Sequence, residues 1–167
     1  MKKTGLITIL AVALMSTTAF ADGTNKTGKQ KIPYMAKQEF SSDFANAKKV
    51  HWNRDQQYSE ASFVQNNKPM HAFYNWDGDL VGTTHTVSFS DLPASARKTI
   101  SKQFKNYTIG RVIKYHYMES GLNDLYPLVP YESSINYFVA LKKDDQLNYS
   151  ILKVTPDGEV SFFETMK

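Results

Sequence analysis

A complete β-hairpin is predicted by Phe73-Tyr74-Asn75-Trp76-Asp77-Gly78-Asp79-Leu80-Val81. Apolar and aromatic residues flank the Asp-Gly pair, and glycine readily adopts the positive φ that a tight turn followed by a one-residue bulge requires. The same pattern returns in Leu152-Lys153-Val154-Thr155-Pro156-Asp157-Gly158-Glu159-Val160. Two matching hairpins, 80 residues apart in the numbering, indicate that one structural unit is present twice.

The first 21 residues have the pattern of a bacterial signal peptide. Lys2 and Lys3 form the positive n-region, the apolar h-region runs from Leu6 to Met15, and Ala19-Phe20-Ala21 fits the small-x-small cleavage rule. The apolar run is short for a transmembrane helix, so cleavage after Ala21 is favoured over an uncleaved anchor. The mature protein is therefore expected in the periplasm or the medium.

The mature chain has the composition of one soluble domain. Residues 22–34 are expected to form a flexible leader, and residues 35–167 the folded domain. Two of the 20 Lys and Arg residues lie in the signal peptide, so 18 remain against 16 Asp and Glu. This near-neutral balance makes nucleic acid a poor partner. The chain has no Cys, which excludes disulfides and a lipid anchor, and no membrane contact beyond the signal peptide is expected.

Each half of the domain is predicted to hold one helix followed by about four antiparallel strands. Pro33 opens the first helix, which is expected to run to about Lys48. The second helix is expected to start at Ser90-Asp91-Leu92-Pro93, where Ser or Asp caps the helix and proline lies in its first turn, and to end near Lys105.

The expected fold class is α+β, a tandem duplication of a helix plus a four-stranded antiparallel unit. The repeat units span about 35–88 and 90–167. A helix and four strands leave a sheet edge uncovered, so the two units are expected to join edge to edge, with both helices packed on one face of the sheet.

The offsets between matching residues support the repeat. Phe44 matches Phe104 at an offset of 60, Tyr58 matches Tyr137 at 79, and the Asp-Gly turns match at 80. The change in offset falls where a long loop, residues 119–134, interrupts the second unit. A single insertion therefore explains most of the difference.

One face of the predicted sheet is expected to be open. The turn geometry pairs Tyr74 with Leu80 and Val154 with Val160, and it places these apolar residues against the helices. The opposite face then carries six predicted binding residues, His71, Phe73, Val81, Ile151, Lys153 and Phe163. The long loop adds Leu125, Tyr126 and Tyr131. The alternative is that these are ordinary strand and loop residues that bind nothing.

An ordered set of motifs carries a family resemblance: Val50-His51-Trp52, Tyr58-Ser59-Glu60-Ala61-Ser62-Phe63, Ala72-Phe73-Tyr74-Asn75-Trp76-Asp77-Gly78-Asp79-Leu80 and Asp91-Leu92-Pro93. The set resembles the PepSY-like domain proteins of Bacteroidetes, which are described as β-lactamase-inhibitor-like, and it covers roughly residues 35–165. The resemblance implies a tandem architecture like that of the β-lactamase inhibitor protein, an envelope or secreted location, and binding rather than chemistry. No residue matches the inhibitory loop individually.

No catalytic or metal constellation is apparent. The histidines fall singly, without zinc-ligand spacing, although His71 and His85 could share a face as a two-histidine site. Asp77-Gly78-Asp79 and Asp144-Asp145 lack the spacing of a calcium loop and are typical of turns. No G-x-S-x-G elbow and no Cys nucleophile occur.

The function expected from the sequence is that of a secreted or periplasmic, non-catalytic binding module without a cofactor. Its partner would be a protein or peptide, such as a hydrolase that it holds or inhibits. The alternative is a structural, accessory or sensing protein of the cell envelope that has no inhibitory activity.

Overall fold

The computed structural model describes residues 31–54, 57–118, 134–143 and 147–166. The predicted signal peptide, most of the leader and most of the 119–134 loop lie outside these ranges. Within them, no helix is both long and apolar enough to span a membrane.

The elements follow the chain in this order: α1 (Tyr34–Asp43), β1 (Lys48–Arg54), β2 (Ser59–Gln65), β3 (Lys68–Tyr74), β4 (Leu80–Val87), a 3₁₀ helix (Phe89–Asp91), α2 (Ala94–Gln103), β5 (Tyr107–Tyr117), β6 (Ser134–Lys143), β7 (Tyr149–Val154) and β8 (Val160–Met166). The strands of the described residues form an eight-stranded sheet in the order β1 to β8. The sheet is mostly antiparallel, and with the two helices this is an α+β arrangement.

The described residues divide into two compact units, with the division inside β4. The first unit contains α1, β1, β2, β3 and the part of β4 up to Thr83. The second unit begins at Thr84 and contains α2 and β5 to β8. That both helices lie on one face of the sheet stays a prediction.

In the first unit, α1 packs on the sheet through Ala36 and Phe40, which are both buried. The strand side of this core consists of Ala61, Phe63, Ala72, Tyr74 and Leu80. The Phe40 ring meets the Phe63 ring edge-on, with 5.0 Å between centroids, a favourable geometry for aromatic pairs. Tyr74 and Leu80 thus lie on the helix side, where the turn geometry predicts them.

Helix α1 ends at Asp43, before its predicted end at Lys48. Phe44 leaves the helical conformation, with φ −124° and ψ 48°, while its N–H still donates to the Phe40 carbonyl at 2.9 Å. The Phe44 ring then packs on the Phe63 ring at 4.8 Å. The chain leaves the helix at the residue whose ring joins the core.

In the second unit, α2 buries Ala96 and Ile100 against five strand residues, Val112, Val139, Leu141, Leu152 and Val154. The predicted capping at Ser90 or Asp91 is wrong in detail. Ser88 caps the 3₁₀ helix in a capping box with Asp91, and α2 follows Pro93 without a side-chain cap. Pro93 lacks an N–H and needs no hydrogen-bond acceptor there, which removes part of the need for a cap.

Both Asp-Gly turns have the predicted backbone geometry. Gly78 has a φ of 100° and Gly158 a φ of 92°. The Gly78 N–H donates to the Asn75 carbonyl at 3.3 Å, and the Gly158 N–H donates to the Thr155 carbonyl at 3.0 Å. In each turn the side-chain oxygen of Asn75 or Thr155 also accepts a backbone N–H. The two turns are therefore built in the same way.

Each turn is pressed against the first turn of a helix. A Cβ atom on Gly78 would lie 2.5 Å from Met35 Cβ and 2.7 Å from the Ala36 nitrogen. A Cβ atom on Gly158 would lie 1.9 Å from Ser95 Oγ. Glycine is required at both positions for its φ and also for its lack of a side chain.

The strand register corrects one of the predicted offsets. Two strand pairs occupy matching places in the helix-side cores, Ala61 with Ala72 and Val139 with Leu152. The offset between β2 and β6 is therefore 78. The predicted match of Tyr58 with Tyr137 at 79 is wrong, because a one-residue shift would turn every side chain of β6 to the other face.

Replacing Gly78 by alanine should lower the free energy of unfolding more than the same change at Gly158. Both alanines would be strained by the left-handed φ, at about 1–2 kcal/mol. At Gly78 the added Cβ also meets backbone, whereas at Gly158 the closest atom is the movable Ser95 hydroxyl. Urea unfolding of the two variants measures the difference.

Ser95→Ala provides the matched control. It removes the obstructing hydroxyl, so Gly158→Ala should cost less in the Ser95→Ala background than in the native one. Equal losses at the two glycines, or no relief from Ser95→Ala, would show that the turn–helix contact does not limit these positions.

Candidate functional site

The face of the first unit opposite α1 carries a group of polar side chains. The register places Ser62 beside His71 and Glu60 beside Phe73. Side chains alternate between the two faces along a strand, and Ala61 packs on α1. These residues therefore lie on the other face of the sheet, away from α1. We call Glu60, Ser62 and His71 the polar cluster.

The polar cluster is held by short contacts. His71 Nδ1 lies 2.7 Å from Glu60 Oε1 and 3.2 Å from Ser62 Oγ. The Ser62 hydroxyl lies 3.3 Å from the same carboxylate oxygen. The side chains of Glu60 and His71 are only 11% and 20% exposed, so water screens this pair poorly.

The polar cluster does not have the geometry of a catalytic triad. In a triad the nucleophile contacts Nε2 of the histidine and the acid contacts Nδ1. Here Ser62 and Glu60 share Nδ1, so the histidine does not lie between them. Across the described ranges, no group of three or more His, Asp or Glu side chains could hold a metal ion. The cluster therefore lacks the acid–histidine–nucleophile order of a triad.

In the second unit, apolar residues take the place of the polar cluster on this face. The positions that match the polar cluster hold Phe138, Ala140 and Ile151, all buried. The Phe138 ring contacts the Tyr115 ring at 6.4 Å and the Phe163 ring at 5.1 Å. The two units therefore have similar helix-side cores and differ in the chemistry of the opposite face.

The predicted binding face is less open than the sequence suggests. Phe73 is 2% exposed and Ile151 is 1% exposed, so the expectation that these two side chains are accessible is wrong. The Phe73 ring stacks beside the His71 ring of the same strand, with 6.5 Å between the centroids. The other four keep partial exposure, namely His71, Val81, Lys153 and Phe163. The predicted loop residues lie outside the described ranges, namely Leu125, Tyr126 and Tyr131.

A second surface has the composition of an interface. Tyr34, Met35 and Trp76 are 77%, 58% and 56% exposed. The contact of Gly78 with Met35 brings the β3–β4 turn, which carries Trp76, against the start of α1. The Arg54 guanidinium lies over the Trp76 ring at 4.2 Å, a cation–π contact. We call Tyr34, Met35, Arg54 and Trp76 the turn patch.

The turn patch is not needed for the fold. Its matching positions in the second unit hold smaller or more polar residues, Ala94, Ser95, Lys114 and Pro156. The turn–helix contact forms there all the same. Tyr, Trp, Met and Arg are enriched at protein interfaces, and Trp, Tyr and Arg often dominate binding energy. A comparison of the two units at offsets of 60 and 80 could have identified this patch from the sequence.

Glu164 is a half-buried acid on the face of the second unit opposite α2. It pairs with Ile151 across β7 and β8. Its Oε1 atom is buried and has no hydrogen-bond partner within the described residues. Burial raises the pKa of the Glu164 carboxyl above its usual range, because a charged carboxylate loses hydration there.

The chain has relatives among solved structures, although no protein-family model matches it and no curated protein matches it. A DUF2874 family protein from Bacteroides ovatus ATCC 8483 is 18% identical, with a TM-score of 0.64 over 82% of this chain and 88% of that chain. A BLIP-like protein from Bacteroides fragilis NCTC 9343 is 14% identical, with a TM-score of 0.60 over 83% and 87%.

A third structure comes from Bacteroides eggerthii DSM 20697 and is provisionally described as periplasmic. It is 16% identical, with a TM-score of 0.64 over 82% of this chain and 89% of that chain. At these identities the likeness shows the fold alone. The chain thus has a BLIP-like fold that occurs in Bacteroides, and the PepSY-like resemblance stays a prediction.

Removing one member of the polar cluster should destabilise the protein more than replacing two members by apolar residues. His71→Ile alone leaves the Glu60 carboxylate buried without its partner, which should cost about 1–3 kcal/mol. Glu60→Phe with His71→Ile copies the residues of the second unit and should cost less than His71→Ile alone. Chemical unfolding of both variants tests this, and a larger loss in the double variant would contradict it.

Glu164→Gln should remove a pH dependence of stability. The folded protein holds the Glu164 proton to higher pH than the unfolded chain does, so stability falls as pH rises from the unfolded pKa through the folded one. The free energy of unfolding of Glu164→Gln should exceed that of the native protein at neutral pH and match it more closely in acid. A native-like pH profile in the variant would contradict this.

Proposed function

We propose that the protein is a non-catalytic binding module of the periplasm or the secreted fraction that holds a protein or peptide partner. The observation that carries the proposal is the turn patch. Three large apolar side chains, Tyr34, Met35 and Trp76, remain exposed beside a guanidinium. Such a group costs solubility in a free monomer and gains apolar burial when a partner covers it.

We infer that the chain consists of two copies of one unit. Several local features recur at fixed offsets: the helix, the C-terminal turn of the helix at Phe44 and Phe104, and the glycine turns. The strand registers support the same offsets. A duplication lets one copy retain contacts that only stabilise the fold while the other acquires binding residues.

The hydrolase-inhibitor version of this function rests on a likeness of fold. A BLIP-like neighbour is consistent with protein binding, but fold alone does not carry a target from one protein to another. The partner class proposed here is therefore a protein or peptide of the cell envelope. The predicted loop residues Leu125, Tyr126 and Tyr131 are a second candidate contact.

Affinity capture with the mature chain, residues 22–167, tests the proposal. The test variant is Tyr34→Ala/Met35→Ser/Trp76→Pro, in which every new residue is the one that the second unit has at that place. The variant should fold normally and retain less than about a tenth of the bound partner, because central aromatic residues each contribute about 2 kcal/mol or more to many interfaces.

Leu147→Ser is the matched control, since Leu147 is 92% exposed in the second unit. This control should capture the partner as the native chain does. A variant with residues 119–134 shortened to a Gly-Ser turn distinguishes binding by the loop from binding by the turn patch. If the turn-patch variant captures as much partner as the native chain, the turn patch is not the binding surface. If the native chain captures nothing, the structural or accessory function is favoured.

A further inference from the structure

Two acids on α1 stand where the helix gains nothing from negative charge. Glu39 and Asp43 are one helical turn apart, so their carboxylates lie on the same side of the helix and repel each other. Asp43 is also the last residue of α1, and the last turn carries no basic residue to offset it. Negative charge is unfavourable there, because the C-terminal end of the helix dipole is itself negative. We call Glu39 and Asp43 the acid pair.

The second unit has neither acid. At the offset of 60, Thr99 takes the place of Glu39, and Gln103 takes the place of Asp43. Helix α2 also has Lys102 in its last turn, where positive charge suits the helix dipole. The two helices pack on their strands in the same way, so the packing does not require the acid pair.

The acid pair lies beside the turn patch. Met35, a member of the turn patch, is one helical turn before Glu39 and contacts Gly78 in the β3–β4 turn. Burial raises the pKa of the Glu39 carboxyl above its usual range, the nearby Leu80 backbone N–H opposes that rise, and the charges of Asp43 and Asp79 add to it. These neighbours place the Glu39 carboxylate at the base of the β3–β4 turn.

The hydroxyl of Tyr74 faces the acid pair. Tyr74 is fully buried, and its hydroxyl has no hydrogen-bond partner within the described residues. Burial, and then the charges of Asp43 and Glu39, raise the pKa of this hydroxyl, so it stays neutral. A buried hydroxyl without a partner is costly, and Val154 stands at this position in the second unit. The fold does not require the hydroxyl, which has the capacity to accept a hydrogen bond from an added donor.

No cation among the described residues neutralises the acid pair. In those ranges neither carboxylate forms an ion pair with a Lys, Arg or His side chain, and Arg54 lies over the Trp76 ring instead. Two carboxylates and a phenol offer fewer oxygen ligands than a calcium ion takes. An ammonium or a guanidinium group instead donates several charge-assisted hydrogen bonds, which such a group of acceptors can receive.

We propose that the acid pair and the Tyr74 hydroxyl receive the charged end of a lysine or arginine side chain from the partner that covers the turn patch. The inference rests on the proposed function and adds to it the chemistry of the partner segment, a basic residue beside apolar ones. The cation offsets the repulsion between Glu39 and Asp43 and replaces the hydration that burial removes. The hydroxyl is covered in the free chain, so the carboxylate side chains turn aside as the cation enters.

NMR titration of the mature chain with Nα-acetyl-arginine amide tests the proposal. Nα-acetyl-citrulline amide, which has nearly the same shape and no charge, is the control probe. The arginine probe should shift the ring signals of Tyr74 in a saturable way, and the citrulline probe should not. In Glu39→Thr/Asp43→Gln, which carries the residues of the second unit, the affinity for the arginine probe should fall about tenfold or more.

Two further variants serve as controls. Asp157→Asn/Glu159→Gln removes the same amount of charge from exposed positions of the second unit's turn and should bind the arginine probe as the native chain does. Tyr74→Phe removes the unpartnered hydroxyl alone. It should bind the arginine probe several-fold more weakly without loss of stability, whereas a hydroxyl with no role in binding would leave the affinity unchanged.

The outcomes separate this proposal from the proposed function. Equal shifts with the two probes, or native affinity for the arginine probe in Glu39→Thr/Asp43→Gln, would overturn the proposal. Capture of the partner by that variant at the native level would also overturn it, while the proposed function would stand. Arginine binding at the acid pair without any captured partner would support the cation site and overturn the proposed function.

Discussion

The contact between a glycine turn and the first turn of a helix is the constraint on which each unit depends. At Gly78 and Gly158 the chain has a left-handed φ, and the helix leaves no room for a Cβ atom. This contact sets the distance between the hairpin and the helix. It thereby positions the apolar residues of the hairpin against the buried face of the helix, as Tyr74 and Val154 show in the two cores.

In both units a glycine turn packs against the first turn of a helix in the same way. The residues that differ between the units are therefore ones that this packing does not require. The first unit carries Tyr34, Met35 and Trp76 around its turn, where the second has Ala94, Ser95 and Pro156. On the sheet face opposite the helix, the first unit has a hydrogen-bonded polar cluster, while the second has an apolar one. Residues that differ while the packing contact is maintained are the ones free to serve binding.

The parts of the fold that depend on local sequence pattern and on turn residues could be predicted from the sequence. The Asp-Gly pairs predict both hairpins, and the alternation of side chains along the strands predicts the residues on the helix side, such as Tyr74 and Val154. Of the polar cluster, His71 was among the predicted binding residues, whereas Glu60 and Ser62 were missed. Their place beside His71 depends on register, which the left-handed Asn66-Asn67 turn fixes by pairing Gln65 with Lys68. The burial of Phe73 and Ile151 was missed because strand alternation predicts the face on which a side chain lies but not how much of that face is covered.

We propose that the turn patch contacts a protein partner in the living cell. A photo-crosslinking amino acid at position 76, where Trp76 is 56% exposed, would be compared with one at position 147, where Leu147 is 92% exposed. We expect one discrete crosslinked protein from position 76 and none from position 147. No adduct at position 76, or the same adducts from both positions, would show that the turn patch is not the binding surface.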